Sequence, residues 1–321
     1  MEGRMISRFR CLLTSLFLVI FVSGIGAASE RIQNFTFEDI HSMDIRTVSG
    51  DIRICPGNDA KLKVELKNDL DDPDRLDPIV EAEQGELSIE EHFTGSHVSG
   101  EIYWTVYLPK SAELKRVKCK SASGNMSFEG FKTEFIQAKS ASGEALIDSV
   151  YTKEVEVSTA SGSVAVQASD VDFVTIESAS GDISLSSVRS KEQELSTASG
   201  SITLENVKIE EQSKIESASG DVELDLLQLP PLGLEVSSAS SDVTLKVPDF
   251  GDNFSLTISK GENGGRIKCP FEYTDKTTFR NDDDDDYGMD RYYVKHGEGG
   301  PDIKLKTYSG TIRIETDTKG K

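Results

Sequence analysis

The stretch Ser178-Ala179-Ser180-Gly181-Asp182-Ile183-Ser184-Leu185 is answered 19 residues later by Thr197-Ala198-Ser199-Gly200-Ser201-Ile202-Thr203-Leu204. The same Ser/Thr-Ala-Ser-Gly element ends at Gly124, Gly143, Gly162, Gly181, Gly200 and Gly220, at intervals of 19, 19, 19, 19 and 20 residues. A seventh copy, Ser238-Ala239-Ser240-Ser241, follows after 21 residues with serine in the glycine place. Two outlying copies stand near the ends, Thr47-Val48-Ser49-Gly50 and Thr307-Tyr308-Ser309-Gly310. Self-similarity at a fixed period marks a repeat architecture, in which each unit needs its neighbours to bury its apolar face.

Around each glycine the pattern has period two. Before it stand pairs such as Val155 and Val157, Val174 and Ile176, Leu234 and Val236; after it Val164 and Val166, Ile183 and Leu185, Ile202 and Leu204, Val222 and Leu224. Alternation rich in β-branched residues means half-buried strands. Two short strands and a turn use up a rung and leave no room for a helix. The expected fold is therefore all-β. It is a single-domain β-solenoid of about 19-residue rungs stacked about 4.8 Å apart, with tandem rungs over 114–247 and antiparallel capping strands at both ends. The repeated glycine is expected at a corner with φ > 0, where a Cβ would clash. The hydroxyl column Ser121, Ser140, Thr159, Ser178, Thr197, Ser217 and Ser238 is expected to hydrogen-bond along the stack and hold its register. At the N-terminal end, Lys61–Leu66, Glu86–Glu90 and Ile102–Leu108 read as strands of a cap. At the other end, Phe254–Ile258 and Ile267–Tyr273 read as strands, 281–300 as a loop, and 303–314 as a closing strand pair.

Residues 1–28 read as a secretory signal peptide and 29–321 as the solenoid domain. Arg4, Arg8 and Arg10 precede the apolar run Leu12–Val22, and small residues lead to a cleavage point after Ala28. No later run is long and apolar enough to span a bilayer. The expected location is extracytoplasmic: periplasm, cell surface or secreted. Composition bounds function further. The 321 residues carry 56 acidic against 35 basic side chains, a net charge of −21. Such a surface repels a phosphate backbone, so no nucleic acid is expected as a partner. Cys55, Cys119 and Cys269 form no CxxC and read as small buried hydrophobes.

The Ser-Ala-Ser-Gly-Asp-Ile rungs, the export signal, and Gly297-Glu298-Gly299-Gly300-Pro301-Asp302-Ile303 running into Thr307-Tyr308-Ser309-Gly310 resemble the DUF4097 adhesin-like (toast-rack) family of bacterial envelope proteins. The resemblance covers roughly Thr36–Thr316. It implies a β-solenoid and an envelope role, and carries over no catalytic residue. The chain departs from the pattern at Ser241 and in the acidic segment Asn281–Asp290.

The search for chemistry is short. His92 and His97 lack the spacing of a helical metal pair, and there is no nucleophile elbow, dinucleotide fingerprint or phosphate loop. No catalytic residue and no cofactor is identified. The run Asp282, Asp283, Asp284, Asp285 and Asp286 is the candidate calcium or cationic-partner loop. Hard cations take several oxygen ligands, but the run misses the calcium-loop pattern, with Tyr287 and Val294 where ligands would stand. The functional expectation is a non-enzymatic extracytoplasmic binding, adhesion-like or structural module whose partner is an envelope protein or surface glycan. The alternative is a solenoid enzyme that acts on a polysaccharide through surface carboxylates. A third reading has the Ser-Ala-Ser rows binding ice or a crystal surface, which requires their hydroxyls to face outward in a flat array.

Overall fold

The computed structural model describes residues 30–95, 98–262, 264–279 and 288–317. The signal segment 1–28, His97 and the run Asp282–Asp286 lie outside the described residues. The N-terminal section holds β1 (Arg31–Phe37), β2 (Ser42–Thr47), β3 (Asp51–Pro56), β4 (Leu62–Asn68), β5 (Leu76–Glu83), β6 (Glu86–Phe93) and β7 (Ile102–Leu108). The tandem section holds β8 (Arg116–Ser121), β9 (Met126–Glu129), β10 (Phe135–Ser140), β11 (Ala145–Asp148), β12 (Tyr151–Thr159), β13 (Val164–Gln167), β14 (Asp170–Ser178), β15 (Ile183–Ser186), β16 (Arg189–Thr197), β17 (Ile202–Ser217), β18 (Val222–Leu226), β19 (Gly233–Ser238) and β20 (Val243–Lys246). The C-terminal section holds β21 (Phe254–Gly261), β22 (Ile267–Lys268), β23 (Asp275–Phe279), β24 (Met289–His296), β25 (Asp302–Thr307) and β26 (Ile312–Glu315). One 3-10 turn, Pro73–Arg75, is the sole helical element among the described residues.

Each rung runs strand, Ser-Gly turn, strand, and successive rungs pair in parallel, with register shifts only at β17, opposite Ser190–Glu192 and within Leu204–Val207. Val155 sits between Ile136 and Val174, and Val164 between Ala145 and Ile183. The strands before the turn form a front sheet, and those after it a back sheet. Their inward residues make one continuous narrow core: Val157, Ile176, Ile183, Leu185, Ile202, Leu204, Ile215, Val222 and Leu224 are all buried. The first residues of β12, β14 and β16 and the middle of β17 pair again as a short third side.

The outlying copies are true rungs, and chain order is inverted at both ends. β2 and β3 stack directly on β8 and β9, while β6 and β7, later in sequence, lie outside them. β25 and β26 likewise stack on β19 and β20, with β21 and β22 outside. The expected antiparallel caps close the stack: β5 on β6, β4 on β7 and β1 on β4 at one end, and β24 on β21 with β23 at the other.

Three expectations need correction. The segment 281–300 is not all loop, because β24 pairs with β21 along its full length and with β23 from Met289 to Tyr293. The strand expected over 267–273 is only Ile267–Lys268. The turn glycines do not take positive φ. The left-handed corner lies six residues later, at Gly130, Ser149 (φ 56°), Ala168 (φ 49°), Ser187 (φ 55°) and Asn206 (φ 55°). The cysteines are free. Cys55 and Cys119 are buried, and Cys269 is half-buried against the core.

Candidate binding surface along the Ser-Ala turns

The repeated glycine answers to close approach between rungs. A Cβ on Gly181 would lie closer than 3.0 Å to the carbonyl oxygen of Gly162, and a Cβ on Gly162 would meet Gly143 in the same way. Only a residue without a side chain lets the turns close to sheet spacing. The hydroxyl three residues earlier turns inward. It accepts the glycine N–H of its own rung, at 2.8 Å for Ser121 with Gly124, 2.9 Å for Thr159 with Gly162 and 2.8 Å for Ser178 with Gly181. The expected hydrogen bonding along the column is thus replaced by a turn cap within each rung. Links between rungs are exceptions, such as Thr47 donating to Ser121 at 2.9 Å.

Register is held instead by the residue after the glycine. The Asp51 carboxylate accepts the Asn125 N–H at 2.8 Å, and the Asn125 side-chain oxygen accepts the Glu144 N–H at 2.9 Å. Asp182 does the same for Ser201, Asp221 for Asp242, and Asp242 for Thr311. An acceptor placed over the next rung's N–H favours one register.

With glycine and the capping hydroxyl turned in, the two middle residues of each turn face solvent. Their backbones are satisfied by the neighbouring rung: Ser180 N–H donates to the Ala160 carbonyl at 2.9 Å and Ser199 N–H to Ala179 at 3.1 Å. One edge of the stack therefore shows a row of nine exposed serines, from Ser49 through Ser180 to Ser309. Beside it runs a row of exposed alanines, Ala122 to Ala239, with Val48 at one end and Tyr308 at the other. A shallow groove follows this edge. Its floor is Thr159, Ser178, Thr197, Ser217 and Ser238. Alanine methyls form one wall, and Ser158, Glu177, Ser196, Glu216 and Ser237 form the other. Lys306 and Tyr308 close one end, with the ammonium 4.9 Å from the ring centroid. Carboxylate and hydroxyl alternate along the wall, so like features recur about every 9.6 Å.

The turn row ends on a residue that the repeat pattern does not contain. Glu91, on β6, is buried, and its Oε2 accepts the N–H groups of Val48 at 2.7 Å, Ser49 at 3.2 Å and Gly50 at 3.3 Å. Its Oε1 accepts the indole N–H of the buried Trp104 at 2.6 Å. The carboxylate stands where another turn would supply carbonyls. At the far end, Gly265 N–H donates to the Ser309 carbonyl at 3.0 Å. Sequence reasoning missed Glu91 because a lone glutamate in Glu90-Glu91-His92 reads as surface.

Of the other sequence-predicted site residues, only His92 lies among those the structure describes. His92 is exposed and meets Glu90 at 3.2 Å. No group of three His, Cys, Asp or Glu that could hold a metal exists among the described residues. A second concavity on the N-terminal section, bordered by Arg53, Lys67, Glu101 and Tyr103, has its charges satisfied locally. There Arg53 pairs with Glu129 at 2.7 Å, Lys67 with Glu30, and Tyr103 donates to Glu101, which pushes its phenol up to about 12. The Arg53 hydrogen bond holds Glu129 below its ordinary range, and the Gln137 hydrogen bond does so for Glu156. A general acid requires the opposite displacement.

The toastrack DUF4097 family model matches residues 40–268. The chain belongs to that family. The match to the toastrack pattern takes in the whole tandem section and ends before the closing rung of β25 and β26. Crystal structures of other proteins share the fold. A candidate lipid-binding protein from Parabacteroides distasonis ATCC 8503 is 15% identical over 89% of this chain and 96% of its own, with a TM-score of 0.53. A candidate adhesin from the same strain is 14% identical over 89% and 96%, with a TM-score of 0.51. A candidate adhesin from Parabacteroides merdae ATCC 43184 is 13% identical over 89% and 95%, with a TM-score of 0.50. At such identity these likenesses show a shared fold alone. No curated protein matches the chain.

Proposed function

We propose that this toastrack protein is a non-enzymatic binding module outside the cytoplasm. Its groove along the Ser-Ala edge receives an extended surface glycan or a segment of an envelope protein. The observation that carries this reading is the unbroken row of exposed serines and alanines bordering a groove whose polar features repeat rung by rung. A repeated surface suits a repeated or extended partner, whereas catalysis needs one asymmetric constellation. The adhesin and lipid-binding descriptions of the Parabacteroides relatives support a binding role. Residues 1–28, read as an export signal, support the location, and no helix among the described residues is long and apolar enough to cross a membrane. The run Asp282–Asp286, which joins β23 to β24, is proposed as a separate contact for calcium or a cationic partner.

The test uses the protein from residue 29 onward on an immobilised panel of envelope glycans and on an envelope-protein pull-down. Replacing Ala179 and Ala198 by Arg plugs the groove at exposed positions. Binding is expected to fall at least tenfold with the melting temperature unchanged. Binding indifferent to both substitutions refutes the groove. Glycan cleavage that depends on Glu177 or Glu216 favours the polysaccharide-enzyme alternative.

A further inference from the structure

The outward side chains of the front sheet carry a charge pattern of which the groove uses only the row nearest the turn, at Glu177 and Glu216. Fourteen strands lie side by side, in the order β5, β6, β2, β8, β10, β12, β14, β16, β17, β19, β25, β21, β24, β23. On β8 every outward residue is basic: Arg116, Lys118 and Lys120. In the row nearest the turn, Arg46, Lys120 and Lys139 are direct neighbours. On the far side of β12 the outward residues turn acidic, with Glu177 on β14 and Glu192 and Glu194 on β16. Ion pairs within the sheet offset part of this pattern, Arg46 with Asp44 and Glu90, Arg116 with Glu86, and Lys214 with Glu194 and Glu216, but the neighbours Arg46, Lys120 and Lys139 still set like charges side by side, which costs stability.

The eleven strands from β5 to β25 are centred on β12, and β21, β24 and β23 extend beyond them. A twofold rotation about an axis along β12 keeps strand direction, reverses stack order and brings a second copy face to face. Register then decides what meets what. β8 faces the partner copy's β16, placing Arg116 over Glu192 and Lys118 over Glu194. β10 faces β14, placing Lys139 over Glu177 and Phe135 over Phe173, a ring 44% exposed in the single chain. β2 faces β17, placing Asp44 over Lys214 and Arg46 over Glu216. Opposite charges meet in each of these charged pairs, and at the outermost strands Glu81 faces Lys304 while Glu83 and Asp302 set one like-charge pair at the edge. On the axis Glu154 and Glu156 meet their own copies, but Glu156 is already held by Lys139 at 3.1 Å and Gln137 at 2.7 Å.

We infer that two copies of this chain pair front sheet to front sheet about an axis along β12. A twofold interface must be self-complementary, residue i meeting j and j meeting i, and the row order supplies that. Eleven strands at about 4.8 Å by five residues at about 3.3 Å cover about 800 Å² per copy, the size of a standard stable interface. The alanine and serine rows of the Ser-Ala edge stay at the rim of the pair, but Glu177 and Glu216 also wall the groove, so pairing covers that wall while Lys118 and Glu194, the positions tested below, lie outside the groove.

The test is sedimentation velocity on the protein from residue 29 onward at about 1–100 µM, in low and high salt. A dimer is expected at low salt, weakening as salt screens the pairs. Lys118→Glu and Glu194→Lys should each weaken it at least about a hundredfold, since like charges would meet at two symmetric places. The double variant, or an equimolar mixture of the two single variants, should restore it. Both positions lie on the solvent side of the sheet, and unchanged melting temperatures separate lost pairing from lost folding. A monomer throughout at low salt overturns the inference, as does a dimer indifferent to Glu194→Lys or a double variant no better than either single one.

Discussion

Replacing Glu91 by Ala tests whether a single carboxylate ends the turn ladder. The side chain accepts three backbone N–H groups and one indole N–H, at 2.6 to 3.3 Å. A hydrogen bond to a charged acceptor contributes about 1.5–3 kcal/mol, and a buried donor left without a partner costs about 1–3 kcal/mol. These terms do not add in full, because water entering the vacated space re-solvates part of the Val48–Gly50 turn. A net loss of about 3–5 kcal/mol follows. Glu91→Gln keeps the volume and one acceptor but turns its NH₂ toward Trp104, donor against donor, and should cost about 1–2 kcal/mol. Trp104→Phe removes the opposing donor, so the pair should couple in a double-mutant cycle. Contacts in a repeat stack are with nearest neighbours, so the damage should begin at the N-terminal cap. Trp104 is the only tryptophan, and its fluorescence reports that cap while far-UV dichroism reports the whole stack. In Glu91→Ala the fluorescence transition in urea should precede the dichroism transition, with faster hydrogen exchange at Val48, Ser49 and Gly50. Coincident transitions and a stability within about 0.5 kcal/mol of the parent would refute the reasoning.

Gly181→Val should cost more than about 4 kcal/mol, because its side chain must force two rungs apart. Ser241→Gly, which removes a buried hydroxyl without a hydrogen-bond partner, should leave the melting temperature unchanged or raise it; equal destabilisation by both contradicts the close-approach account. Leu204→Ala should cost about 2–5 kcal/mol in a urea titration, since Leu204 is fully buried between Leu185 and Leu224. Ser213→Val should gain stability by relieving an unpartnered buried hydroxyl between Leu234 and Gln193; a loss there would show that the hydroxyl is satisfied in solution. Burial pushes the Cys119 thiol well above its ordinary range, so its reactive thiolate is scarce at any pH where the fold persists. A thiol reagent should reach it only as fast as the core opens, and labelling ahead of unfolding would contradict its placement.

Most of the stack was legible because period and polarity act together. A 19-residue interval with two alternating runs admits little besides stacked rungs, and Val157, Ile176, Leu204 and Leu224 lie where alternation put them. The turn glycine was legible as necessary but not in its cause, because one letter serves both positive φ and close approach. The real left-handed corner was hidden, since Ser149, Ala168, Ser187 and Asn206 share no residue type. Inversion of rung order depends on which edges meet in space, and nothing near Gly50 or Gly310 in sequence announces it. β24 was hidden because it adjoins the aspartate run and pairs with strands that lie elsewhere in the chain. The groove could be foreseen only as a face, because its walls come from different rungs.

That inversion constrains the order in which the solenoid can be completed. At the C-terminal end, β25 and β26 lie between β19–β20 and β21–β22, although all four of those strands are synthesised earlier. A chain folding as it emerges would hold β21 with nothing to dock on except the front edge of β19, a place that belongs to β25. The last segment to arrive is therefore a keystone: the course outside it cannot settle until it has been slotted in. A chain ending before residue 300 would not be a shorter solenoid but one with its outermost course seated a rung too low, or with the edges of β19 and β20 left open to other chains.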